Sequence, residues 1–157
     1  MQNSNIQRAK KIIEQILYIT IATVSKDGTP HNSPVFSAFD KNYNFYWGSH
    51  RHAQHSINIR ANENIFLVIY DSTVEAGTGK GVYVKAKAKE LENPEDIALA
   101  HNLLQSRRPV PFWKIEQVQG DTPIRLYKAI PEKFWVNEDG DKDGNYIDIR
   151  EEIDLSK

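Results

Sequence analysis

No cysteine occurs among the 157 residues, which excludes disulfides, thiolate metal centres and a thiol nucleophile. An excess of either charge is missing too, because 20 basic and 21 acidic side chains leave a formal net charge of −1. No field therefore draws the whole molecule to nucleic acid or to a membrane surface, and neither is an expected partner. No apolar run approaches bilayer-spanning length, and the opening MQNSNIQRAKKIIEQ is too polar for a secretory leader. Together these absences point to the cytoplasm. Internal repeats and linkers are absent as well. Residues 1–157 are thus expected to form one domain, with 39% hydrophobic residues to fill one core.

What is present is mostly strand text. Ile6, Ala9, Ile13 and Ile16 recur at helical spacing and predict an amphipathic helix over 5–15. LYITIATV over 17–24 is β-branched and apolar, Asp27-Gly28 turns the chain, and HNSPVFSAFD supplies a second strand. Pro34 assigns that strand an edge or irregular position. NFYWGS makes a third strand, AQHSINIRAN a short helix, and IFLVIYD a buried strand. GVYVKAKAKEL alternates, placing Val82, Val84, Ala86 and Ala88 inside and its lysines in water. Asn93 caps and Pro94 opens a further helix with Ile97, Ala100 and Leu104 as its buried stripe. SRRPVPFW is irregular, and PIRLYKAI and EKFWVNE read as two more strands. Six or seven hairpin-linked strands with flanking helices predict a mainly β, Greek-key-like barrel.

Two glycine-bearing segments imitate ligand loops and fail on spacing. GTGKG lacks the upstream glycine and the following Ser or Thr of a phosphate loop, and it leads into a strand. DGDKDGNYIDIRE puts Asp139, Asp141 and Asp143 at calcium-loop positions, but Arg150 occupies the place of the closing carboxylate. It reads as a polar hairpin tip.

The segment FYWGSHRHAQHSINIRAN, residues 45–62, carries the densest chemistry. His50, His52 and His55 number enough for a zinc centre, yet no neighbouring carboxylate orients them and Arg51 stands among them. No metal is expected. Ser49, His50, Arg51, His52, Gln54 and His55 offer donors just before a helix N-terminus, where an anion such as phosphate is stabilised. Tyr46, Trp47 and Gly48 would present an aromatic surface and open backbone to a flat ring. Spacing alone serves equally a Trp47 in the core with solvated histidines.

LYITIATVSKDGTPHNSPVFSAF, the segment above extended to IFLVIYD, and GVYVKAKAKELENPED follow one another across residues 12–96 in an order that resembles the pyridoxamine 5′-phosphate oxidase-like family of FMN-binding split barrels. RLYKAIPEKFWVN resembles the last strands of some members. The resemblance implies a homodimer with FMN at the subunit interface. It assigns Ser33 and Val35 to the flavin-facing strand, Tyr46 and Trp47 to the end of the third strand, and Gln54 and His55 to the phosphate. Gly81 falls where the oxidases contact the ring through glutamine, and Trp113 or Trp135 is expected to reach across the dimer and cover the partner's flavin. Ser33 replaces an arginine, Ala38 a lysine and Ala53 a serine, which removes support for vitamin B6 oxidation. The functional expectation is an FMN-dependent oxidoreductase of an unassigned small molecule; the alternative is a non-catalytic binder of flavin, haem or the deazaflavin F420.

Overall fold

Alternating apolar and polar residues curl one antiparallel sheet into a barrel. The computed structural model describes residues 2–108 and 113–156. Its strands are β1 (Tyr18–Val24), β2 (Pro30–Phe39), β3 (Phe45–His50), β4 (Asn64–Tyr70), β5 (Gly81–Glu90), β6 (Ile124–Lys142) and β7 (Asn145–Ile153). Three helices accompany them: α1 (Gln2–Gln15), α2 (Gln54–Ala61) and α3 (Pro94–Ser106). The order is β3-β2-β1-β4-β5-β6-β7, and a further β3–β6 pairing closes the first six strands on themselves. One edge of β6 pairs with β5. Its other edge pairs with β3 up to Ala129 and with β7 from Phe134 onward. The barrel splits there, and β7 leaves with the end of β6 as a hairpin arm. Among the described residues, no helix is long and apolar enough to cross a membrane.

Two cores hold these elements. Inside the barrel, Ile19, Ile21, Leu67 and Val84 are buried, and Trp47 stacks on Tyr127 with centroids 5.7 Å apart. The expected inner face of β5 is there too, with Val82, Val84, Ala86 and Ala88 all buried. Ile6, Ala9 and Ile13 of α1 join this core. A second core lies outside the barrel, where Ile97, Ala100 and Leu104 of α3 meet Ala38, Tyr46 and Leu126. β3 serves both cores by strand alternation, sending Phe45 and Trp47 to one and Tyr46 to the other.

The C-terminal region differs from the sequence reading. The two strands expected on either side of Pro131 are one strand of 19 residues. Pro131 and Glu132 fall at a register shift in which Lys85 faces Lys133 and Ala86 faces Pro131. A bulge absorbs the missing proline N–H without ending the strand. The Asp-rich segment is the β6–β7 hairpin, with Asp143 and Gly144 both at positive φ, 57° and 78°, in its two-residue turn. Pro34 lies where β2 pairs with β1 alone, since β3 reaches only Ser37–Phe39. That is the edge-like position its missing donor requires.

The last turn of α1 contains no basic residue, and its carbonyl end is completed from elsewhere in the chain. Arg107, at the end of α3, donates to the carbonyls of Glu14 (2.7 Å) and Ile16 (3.3 Å) while its guanidinium covers the Phe39 ring at 5.1 Å. Arg107→Met is expected to lower unfolding free energy by about 1.5–3 kcal/mol, the usual worth of charged hydrogen bonds. Urea denaturation measures this. A midpoint equal to wild type would assign the cap no stabilising role.

Candidate functional site

The end of β3 and the turn after it build the site. Gly48 and Ser49 pair with Leu126 and Arg125 of β6. Immediately beyond, the Arg51 N–H donates to the Pro123 carbonyl at 2.8 Å and the Ala53 N–H to His50 at 2.9 Å. This tight reversal delivers α2 beside the strand it follows. Ala53, the N-cap, has no side-chain acceptor, so the first turn of α2 is left without a side-chain cap. Inside α2, buried Asn58 donates to buried Thr23 of β1 at 3.0 Å, anchoring the helix to the barrel wall.

That placement puts His55 Nε2 2.7 Å from Ser49 Oγ. Both line a cleft of about 230 Å³ together with Val35, Gly48, Leu104 and Trp113, and Tyr18, Pro34 and Phe36 complete the lining. Five residues expected from sequence therefore converge: Val35, Gly48, Ser49, His55 and Trp113. Leu104 also joins the buried stripe of α3 that its spacing predicts. Tyr18 and Phe36 carried no signal, because an outward strand residue looks alike whether it lines a cleft or meets solvent.

Other expected residues lie elsewhere. The aromatic surface assigned to Tyr46 and Trp47 does not form, because their side chains are 1% and 0% exposed. Tyr46 faces α3 and donates its hydroxyl to Asp40 at 2.9 Å; burial and this carboxylate push its pKa up. Trp47 faces the barrel interior. Only the β3 backbone remains to meet a ligand there. His50 and His52 are exposed with rings 5.5 Å apart. Arg51 lines a separate depression with Ile59, Ala88 and Glu90, its carbonyl held by Arg60 at 2.6 Å. Gln54 lines a third depression with Ser25 and Asp27 and donates to Asn58 at 2.9 Å. Within one chain, the cationic side of the expected anion site is thus separated from the cleft by the turn of the chain into α2.

Ser33 stands opposite Ile21 on β2, outside the lining of the cleft. Gly81 opens β5, its N–H bound to Asn137 at 2.7 Å. Trp135 stacks on Phe66 at 6.0 Å. Among the described residues, no three His, Asp or Glu side chains gather as a metal site.

The sequence profile of the pyridoxamine 5′-phosphate oxidase family matches residues 6–137. No curated protein matches the chain in sequence. Among solved structures, a candidate 5-nitroimidazole antibiotic resistance protein from Bacteroides thetaiotaomicron superposes with a TM-score of 0.67 at 13% identity, over 83% of this chain and 81% of its own. The haem storage protein HutZ from Vibrio cholerae gives 0.62 at 17% identity, over 81% and 90%. General stress protein 26 from Bacillus anthracis gives 0.59 at 16% identity, over 92% and 98%. At these identities the likeness is one of fold.

Burial holds the pKa of His55 below its ordinary 6.5, so its imidazole is neutral at pH 7. In the unfolded chain the value returns to 6.5, and below that pH the unfolded state binds a proton that the folded state rejects. The His55 contribution to stability is therefore present above pH 6.5 and diminishes as pH falls below it. His55→Gln is expected to flatten the melting-temperature profile between pH 7.5 and pH 5. An unchanged profile would show that the titration arises elsewhere.

Proposed function

The chain belongs to the pyridoxamine 5′-phosphate oxidase family, and from that premise we propose that it is an FMN-dependent oxidoreductase, working in the cytoplasm, that holds its flavin between two copies of the chain. The observation that carries this reading is the convergence of Val35, Gly48, Ser49, His55 and Trp113 on one cleft. The residues fit the group. Ser49 and His55 are donors beside the uncapped start of α2, which suits a phosphate. Val35, Leu104 and Trp113, whose indole lies on the Gly48 backbone, suit a flat ring. Bound flavin supplies hydride acceptance from a small-molecule substrate and return of the electrons to an acceptor. The side chains here align and desolvate the ring; none is placed as an acid or base acting on substrate.

The cleft argues for a second copy. Its volume of about 230 Å³ falls short of the roughly 300 Å³ at the small end of ligand sites. Tyr18, 60% exposed, is part of its lining, and Tyr70, 47% exposed, shares an adjoining depression with Tyr18 and Pro34. A partner subunit laid on this apolar strip completes the pocket and buries the rings. Light scattering at micromolar concentration is expected to give twice the 18.0 kDa chain mass. Tyr18→Asp with Tyr70→Asp is expected to give monomers that no longer retain FMN. A wild-type monomer would remove the interface site.

Comparing FMN with riboflavin tests the phosphate assignment, since riboflavin has the ring alone. His55→Ala is expected to weaken FMN by about ten- to a hundredfold and to leave riboflavin nearly unchanged. Arg51→Ala, in the separate depression, leaves both affinities within about twofold, smaller than the loss of a charged contact. A phosphate dianion raises the pKa of neighbouring His55, so FMN binding takes up a proton and weakens as pH rises above neutral. Equal losses for the two ligands in His55→Ala would place the residue at the ring instead.

One observation favours a non-catalytic reading. His55 lines the cleft with its Nε2 2.7 Å from Ser49 Oγ, an imidazole there would also be able to hold haem iron, and the haem storage protein above shares the fold. The spectrum of the purified protein separates the readings: flavin colours it yellow, haem red, and F420 absorbs at shorter wavelength than FMN.

A further inference from the structure

Trp113 occupies a seat that only glycine permits. A β-carbon on Gly48 would lie 2.8 Å from Cη2 of the indole and 3.3 Å from Leu126 Cδ2, so the ring rests directly on the backbone of β3. The residue is held from its other end. Its carbonyl accepts from two side chains of α3, His101 Nε2 at 2.7 Å and Gln105 Nε2 at 2.9 Å. The two residues are four apart and so share one face of the helix. Their nitrogens lie 3.2 Å apart. Since both donate to one oxygen, that proximity comes from the shared acceptor, and it assigns the His101 ring hydrogen to Nε2. Leu104, adjacent to Gln105, lines the same cleft as the indole.

Packing an indole against a helix needs no such clamp. Two donors on one carbonyl fix the backbone from which the ring projects, and the Gly48 seat then fixes the ring. The result is an aromatic wall whose orientation is set before any ligand arrives, which removes an ordering cost from binding.

We propose that His101 and Gln105 are positioning residues that hold Trp113 as a rigid wall of its own chain's cleft, against which the ring of the cofactor stacks. The proposal rests on the flavin reading for its ligand but not for the clamp. It assigns Trp113 to the cleft of the subunit that carries it, in contrast to the expected reach across the dimer, and it accounts for glycine at position 48.

The test uses the full chain with Trp135→Phe, so that emission reports Trp113 and the barrel-core Trp47. Into it go His101→Leu and Gln105→Leu together, His101→Gln alone as the conservative change that keeps a donor, and separately Gly48→Ala, which fills the seat without touching α3. Two quantities are read: acrylamide quenching without ligand, and affinity and emission of bound riboflavin. The double leucine variant is expected to raise quenching, to weaken riboflavin about two- to tenfold and to brighten it when bound, the loss of one aromatic stack. Gly48→Ala is expected to do the same through the seat, while His101→Gln stays close to wild type. If the double leucine variant fails to fold, Gln105→Ala alone is read in its place and is expected to raise quenching by a smaller amount. Unchanged quenching in the leucine or Gln105→Ala form overturns the clamp, and unchanged quenching in Gly48→Ala overturns the seat. Raised quenching with unchanged riboflavin affinity overturns the stacking wall. If the parent protein binds no flavin of any kind, the proposed function falls and the stacking wall with it, while quenching still decides the clamp.

Discussion

The pairing of β3 with β6 is the interaction on which the rest depends. Phe45–His50 and Ile124–Ala129 are distant in sequence, yet their ladder turns an open sheet into a closed barrel and removes two exposed edges. It also places the end of β3 beside the beginning of β6, so that the chain leaving at His50 is caught by the Pro123 carbonyl and thrown back into α2. The cleft exists because of that reversal. Without closure, Ser49 and His55 would be six residues apart in a loop rather than 2.7 Å apart in a site.

A buried polar group reinforces the same corner. Arg125, 7% exposed, lies on β6 opposite Ser49 and donates to the Leu91 carbonyl at 3.0 Å, with its Nε 3.2 Å from the Glu90 carboxylate. The Nε contact is an ion pair without hydrogen-bond alignment. Glu90 also accepts from the Tyr127 hydroxyl at 3.1 Å and from Arg60 of α2 at 3.3 Å. A carboxylate so surrounded is costly to leave unpaired, so the group specifies one arrangement of β5, β6 and α2 more than it adds net stability. The cleft is thus mounted on a rigid corner. Trp113, which packs against the second core, is held by side-chain hydrogen bonds from α3 to its carbonyl.

Much of the fold was legible in local patterns. The alternation in GVYVKAKAKEL, the cap at Asn93 and the turn at Asp143-Gly144 depend on near neighbours alone, and near neighbours decide them. Pro131 misled because a proline ends a strand unless a bulge accommodates it, and a bulge is a property of the pair of strands. Tyr46 and Trp47 misled for a related reason. Adjacent aromatics on a strand point to opposite faces, and whether each face meets a ligand, a helix or the barrel interior depends on what packs there.

The sequence by itself determined the elements as far as α3, the two apolar faces of β3, the donors clustered around His55 and the absence of thiol chemistry. These follow from residue type, spacing and period. Only the tertiary structure decided which donors share a cleft. Arg51 and His55 are four positions apart, and one reversal of the backbone sends Arg51 to a different depression from His55. Trp113 joined the site through Gly48, 65 positions earlier in the chain. Contacts of that range are set by closure of the barrel and by the helix packed outside it, and no local pattern records them.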